Sequence, residues 1–316
     1  MHSSKTKIAD THRLGFLNLH SKKQQDILFC AVLLLPAMIL CVAFIIIPII
    51  DSVVMSFTTY KIGNLTNNQP GEWNNFANYI RLWNSGKLQS ATSITVAFVG
   101  ITVALTFVFS MTLALLLNTK IVGARFLRSI MMIPWVIPTV IAGLLWSWIY
   151  ANPYGLLQYL ISMFTHGQVN NFAILSNQDT ALWGIIVAAL WKQIPLMTLL
   201  LLSGMQSIPD DILEAAKIDG AGYFTRLIHI LIPYMRSVIA VTVSMCIIEN
   251  FKQYPLFATL TNGGPTGATT TFAVLSYDEA FVNYNYGSGA AVTTVWLLLM
   301  IIVVFIFNRI FKKDDA

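Results

Sequence analysis

The sequence predicts an all-α integral membrane protein, and three observations predict it. The chain of 316 residues is 56% hydrophobic and only 10% charged, where a soluble domain carries about 25% charge. Six apolar stretches are each long enough to cross about 30 Å of hydrocarbon at about 1.5 Å per residue. The basic residues fall almost entirely on alternate connections between those stretches. One helical membrane domain is expected over residues 27–311, with tails at 1–26 and 312–316 and no soluble module.

The first span is expected near Ile27–Ile50. It follows a polar tail and lacks a small-residue cleavage site, so it reads as a span and not as a cleaved signal peptide. The connection Asp51–Ala91 is too short for an independent core. Within it Phe76, Tyr79, Ile80 and Trp83 share one helix face beside Trp73. That pattern reads as an interfacial helix with aromatics at the headgroup level; contact with an extracytoplasmic partner is the alternative.

The second and third spans are expected near Thr92–Leu117 and Ser129–Tyr150, and the fourth, fifth and sixth near Ala181–Gly204, Ile232–Ala258 and Gly289–Phe311. Pro134 and Pro138, Pro195, Pro233 and Pro255 each remove a backbone donor and bend or start a helix. A broken backbone in a membrane is tolerated where it packs in protein or lines a cavity. Cys30, Cys41 and Cys246 all lie in apolar spans. Their odd number and spacing suggest neither metal nor disulfide.

Charge sets the orientation. Lys5, Lys7, Arg13, Lys22 and Lys23 precede the first span, and Lys120, Arg125 and Arg128 join the second to the third. Lys217, Arg226 and Arg236 join the fourth to the fifth, and Arg309, Lys312 and Lys313 close the chain. The opposite side has only Lys61, Arg81 and Lys87, while Ala151–Thr180 and Pro255–Ser288 have none. By the positive-inside rule both termini and the fourth-to-fifth connection are cytoplasmic. The net charge of +5 reflects this asymmetry and does not argue for nucleic acid.

Polar residues inside the spans are the next signal. Lys192 and Gln193 lie in the fourth, and Glu249, Asn250, Lys252 and Gln253 in the fifth. A charge at a helix centre costs about 2.5–3.5 kcal/mol on insertion scales, so such residues face a cavity or a partner. Glu249 and Lys252, three apart, are placed to pair. Gln193, Asn250 and Gln253 carry amides that both donate and accept, which suits neutral hydroxyl-rich solutes, and Tyr254 offers a ring to stack on. Bridging between helices is the structural alternative for these amides.

The fourth-to-fifth connection is a short polar island. Ser207, Pro209, Asp210 and Asp211 read as a helix start, with Ser207 as the N-cap hydroxyl and acids on the positive dipole end. Gly220 sits where a helix stops. Ile212, Ala215, Ala216 and Asp219 fall at helical spacing, and the two alanines leave room for another surface. Phe224, Leu227, Ile228 and Leu231 then restart an apolar stripe.

Glu214-Ala215-Ala216, then Asp219-Gly220-Ala221, then Ile232-Pro233 resembles the EAA loop of ABC importer permeases. Ile208-Pro209 before it, with Ile133-Pro134-Trp135-Val136-Ile137-Pro138, Asn152-Pro153-Tyr154-Gly155 and Thr261-Asn262-Gly263-Gly264-Pro265, is similar to the carbohydrate branch of that family, the maltose and multiple-sugar type. The resemblance implies a type I importer permease in a bacterial or archaeal plasma membrane. It implies that Glu214, Ala215, Ala216, Asp219 and Gly220 belong to a coupling helix docking on an ATP-binding subunit. Its implied partners are a second homologous permease, two ATP-binding subunits, an extracytoplasmic solute-binding protein and a sugar substrate. It also implies that sugar contacts come from the helices flanking the loop, where Gln193, Asn250, Gln253 and Tyr254 lie.

The chain has no Gly-x-x-x-x-Gly-Lys-[Ser/Thr] phosphate loop, no His-Glu-x-x-His helix and no Gly-x-Ser-x-Gly elbow. It is expected to be no enzyme and to hold no cofactor or metal, with ATP and Mg²⁺ in the partner ATPase. Two other readings remain. One is an ABC permease for a non-sugar solute, which a cavity rich in acids or in Arg and Lys would favour. The other is a secondary transporter working alone, which predicts internal repeats with paired broken helices and leaves the loop unexplained.

Overall fold

The computed structural model describes residues 22–119, 123–169 and 171–312. Lys5, Lys7, Arg13, Lys120, Lys313 and almost all of both tails therefore lie outside the described residues. Residues 1–51 and 52–316 are two separate units, described in turn.

The first unit holds α1 (Lys22–Cys41), a π turn (Val42–Ile46) and the start of α2 (Ile47–Ser56). Apolar side chains surround it on every side, as suits a lipid-facing span. The helix runs on to Ser56, beyond the expected Ile50.

The second unit is helical apart from a two-rung antiparallel ladder, β1 (Thr58–Thr59) on β2 (Glu72–Trp73). After α3 (Ile62–Thr66) and α4 (Ala77–Asn84) come α5 (Lys87–Leu117), α6 (Ala124–Met131), α7 (Ile133–Val136), α8 (Thr139–Ile149) and α9 (Leu156–Phe164). Next are α10 (Gln178–Gln206), α11 (Asp210–Ile218) and α12 (Tyr223–Arg226), a π turn (Leu227–Leu231), α13 (Ile232–Tyr234) and α14 (Arg236–Phe251). The chain closes with α15 (Pro255–Leu260), α16 (Phe272–Tyr277), a π turn (Asp278–Val282) and α17 (Tyr286–Lys312).

Among the described residues four helices are long and apolar enough to cross a membrane, or six when each of two bent pairs counts as one span. The first bend has a covalent cause. Pro138 cannot donate to Pro134, and Ile137 before it is forced to extended backbone (φ −64°, ψ 129°). The third span therefore turns by 92° between Val136 and Thr139. The second bend, of 74°, falls at Met235, just after Pro233.

The fifth span departs from the expected continuous run to Ala258. Pro255 has no N–H for the carbonyl of Phe251, so α14 ends there and α15 starts afresh at Pro255.

The core is built where α5 packs on α10 and on α14, and α15 on α8. Phe98 of α5 meets Phe257 of α15 edge to face at 4.8 Å, both fully buried. Gly143 lets α8 and α15 close in: a Cβ there would lie 2.8 Å from Cβ of Thr259. On α4, Phe76, Ile80 and Trp83 are exposed together as expected of an interfacial face. Tyr79 is the exception, because its hydroxyl turns in to Ser56 at 2.6 Å.

Candidate functional site: a mid-span groove and an exposed connecting helix

The groove lies between the broken third span, α10 and α14. Trp135 and Thr139, Lys192, Gln193 and Met197, and Met245, Cys246, Glu249 and Gln253 line a cavity of about 220 Å³. The polar residues expected in mid-span divide into three sets by what they touch.

Gln193 and Asn250 bind each other. Gln193 Nε2 donates to Asn250 Oδ1 at 3.0 Å, and Asn250 Nδ2 donates back to Gln193 Oε1 at 2.8 Å. Asn250 also donates to the Cys246 carbonyl at 2.9 Å and is only 2% exposed. Its amide is thus used up between α10 and α14, and it does not line the groove. Gln193 keeps one edge on the cavity.

Lys192 serves the broken backbone. Its ammonium donates to the carbonyl of Ile137 at 2.6 Å and to that of Trp135 at 3.2 Å. These groups sit at the bend before Pro138, where the end of α7 leaves carbonyls outside the helical ladder. Sequence reasoning flagged Lys192 as a mid-span charge but missed this role, since nothing in the sequence says that α10 packs on the bend.

Glu249 and Lys252 form the expected i, i+3 pair at 3.0 Å, both more than half exposed. Gln253 follows on the broken segment and reaches the cavity. Tyr254 does not line it; its ring tilts against Tyr277 with centroids 4.9 Å apart.

The connecting helix α11 lies three residues beyond α10. Gly220 ends it as expected, with φ +77°. The Ala221 N–H bonds to the Ala216 carbonyl at 2.9 Å and the Gly220 N–H to that of Lys217 at 3.1 Å, the paired closure of a Schellman motif. A Cβ on Gly220 would touch nothing within 4 Å, so its cost within this chain is the left-handed backbone alone.

Two expectations about α11 need correcting. Ser207 is not its N-cap: the hydroxyl donates back to the Gly204 carbonyl at 2.8 Å, closing the end of α10 instead. Pro209 holds the N-cap position with no side-chain bond, and the acids Asp210 and Asp211 fill the first turn. The two alanines also do not share one exposed face. Ala216 is buried, while Ala215 is exposed along with Glu214, Asp219 and Gly220. Ile218 beside them is 86% exposed.

A third feature was not anticipated. Lys61, Arg81 and Lys87 all line one cavity around the carboxylate of Glu279. A signal existed in the isolated acids of the 278–282 stretch, but only the fold brings it to residues some 200 positions earlier.

Comparison with known proteins gives a consistent result. Residues 107–314 match the family model described as binding-protein-dependent transport system inner membrane component. The trehalose/maltose transport system permease protein MalF of Thermococcus litoralis is 32% identical over 94% of this chain and 99% of its own length. The trehalose transport system permease protein SugA of Mycobacterium tuberculosis is 31% identical over 70% of this chain and 69% of its own. In fold, the chain is similar to one in a crystal structure of a bacterial alginate ABC transporter in complex with alginate pentasaccharide-bound periplasmic protein. The TM-score is 0.76 at 19% identity, covering 92% of this chain and 96% of that one. The chain therefore belongs to the family of inner membrane components of binding-protein-dependent transport systems.

Proposed function

We propose that this chain is the transmembrane subunit of an ATP-driven importer for a sugar or oligosaccharide. It works beside a second homologous permease, two ATP-binding subunits and an extracytoplasmic solute-binding protein, with both of its termini cytoplasmic. ATP and Mg²⁺ belong to the ATP-binding subunits, and this chain supplies half of the path and the mechanical link.

The observation that carries the reading is the outward face of α11. A nine-residue helix that closes its own end yet leaves Glu214, Ala215, Ile218, Asp219 and Gly220 uncovered is built to meet another chain. An isoleucine left 86% exposed forgoes about 1.5–3 kcal/mol that burial would return. We assign α11 as the coupling helix: closure of the ATP-binding subunits displaces it and switches the groove between its two openings.

The groove suits a neutral solute. Its formal charges are one lysine, already held by backbone carbonyls, and one glutamate, already paired with Lys252. It is thus not dominated by either sign, as a phosphate-ester or polyamine path would be. Gln193 and Gln253 are the amides that meet sugar hydroxyls. Tyr254 lies at the edge of that path, and Asn250 contributes by fixing the Gln193 amide. Sugar names on the two relatives point the same way.

The test uses Glu214→Lys and Gly220→Val. Both variants are expected to insert normally and to lose sugar uptake and co-purification of the ATP-binding subunit. Sugar binding to the separate solute-binding protein stays normal. A variant that retains the subunit and transports at the parental rate removes α11 from energy coupling.

A further inference from the structure

Glu279 is only 4% exposed and holds two cations. Lys87 Nζ lies 2.6 Å from its Oε1, and an Arg81 nitrogen lies 3.3 Å from its Oε2. Arg81 also donates to the Ser288 hydroxyl. One carboxylate therefore fixes two basic side chains that arrive from the other end of the sequence.

Their charge is not spent. Arg81 and Lys87 remain about half exposed, at 50% and 48% of their side chains, and each has more N–H donors than these bonds use. With the exposed Lys61 they line a cavity of about 410 Å³. Lys61 has no acidic partner among the described residues. Asp278 is the other acid nearby. Partial burial pushes its carboxyl above the usual carboxylate range, with Lys87 opposing that rise and Glu279 adding to it. Even with Asp278 counted, the positive groups outnumber the acids.

The walls also have a common location. Lys61 opens α3, Arg81 is in the last turn of α4, Lys87 opens α5 and Asn285 immediately precedes α17. The cavity thus lies where two spans, α5 and α17, begin. These three cations are all the Lys and Arg of the connections assigned to the outer side.

We infer that this cavity is a docking point for an acidic side chain of the extracytoplasmic solute-binding protein. The inference rests on the import reading above. Its grounds are charge complementarity: a fixed cationic recess, on the face a binding protein must approach, in a chain whose family is binding-protein-dependent. Rim charges of this kind act mainly on the rate of encounter and its salt dependence.

The experiment uses the complete transporter in nanodiscs of neutral phosphatidylcholine, with ATP hydrolysis measured against concentration of the cognate, sugar-loaded binding protein. Lys61→Glu is expected to raise the half-saturating concentration several-fold at low ionic strength. The maximal rate and the basal hydrolysis stay unchanged. The difference shrinks as salt is added, and Lys61→Arg behaves as the parent does. Saturation of Lys61→Glu at the parental concentration in low salt overturns the inference. So does an effect that appears only when anionic phosphatidylglycerol is included, since the occupant is then a lipid headgroup. If the binding protein fails to stimulate the parental transporter at all, the import reading itself falls, which separates the two failures.

Discussion

The mid-span groove and α11 treat polar residues in opposite ways. At the groove the amides of Gln193 and the buried Asn250 behind it bind each other, and the Lys192 ammonium is held by two carbonyls. On α11 Glu214 and Asp219 are exposed, and Ile218 stands almost bare between them. The difference follows from the solvent. Inside a bilayer a polar group has no water to fall back on, so it must find a partner within the chain. At the membrane surface water satisfies polar groups, and what stays unsatisfied there is the apolar side chain. A paired amide in the interior thus marks a requirement already met, and a bare isoleucine at the surface one that this chain leaves unmet.

The largest effect that tests this contrast is at Ile218. Ile218→Ser removes apolar area that only a partner can cover, so the affinity for the ATP-binding subunit is expected to fall about 10- to 100-fold, corresponding to about 1.5–3 kcal/mol. The variant's own unfolding should move by no more than about 0.5 kcal/mol. Titration of the subunit onto detergent-solubilised permease measures the first quantity. An unchanged affinity breaks the comparison at its surface end.

Next in size is Asn250→Leu. It leaves the Gln193 amide without its reciprocal partner, and a loss of about 1–2 kcal/mol is expected in unfolding of the purified permease. Full stability in this variant would mean that the pair is not what holds α10 to α14, and that Asn250 is free to serve solute directly.

The smallest structural effect, and the sharpest functional one, belongs to Gln253→Leu. Gln253 reaches the cavity from a break in the backbone, outside any helix ladder. Stability should change by less than about 0.5 kcal/mol while sugar uptake falls several-fold at equal expression. Parental uptake kinetics would make the groove's second amide a bystander.

The helices were legible in the sequence because apolar length is a direct requirement of the bilayer. Every expected span has a helix, and Gly220 marked the end of α11 because only glycine takes φ +77° cheaply. Breaks were harder to read. Pro255 was visible, but only the fold decides that α14 stops at Phe251 rather than bending through. Ser207 misled because a hydroxyl between two helices can serve either one, and here it bonds back to Gly204. The Gln193–Asn250 pair joins residues 57 apart. Periodicity gives the face a residue occupies but not which helix will lie against it, so pairing between spans stayed out of reach.

The hold of Lys192 on the bent third span has a mechanical consequence. Helix α10 runs continuously for 29 residues despite Pro195, which removes one bond of its ladder, and spans about 44 Å at about 1.5 Å per residue. Only Ser207, Ile208 and Pro209 separate its end from α11. Lys192 sits fourteen residues before that end, about 21 Å up the helix. In the coupling role proposed for α11, a push received at Ile218 travels along this one helix to the joint where the ammonium grips the carbonyls of Trp135 and Ile137. The two halves of the third span cannot swing apart without either dragging that helix or letting go of it.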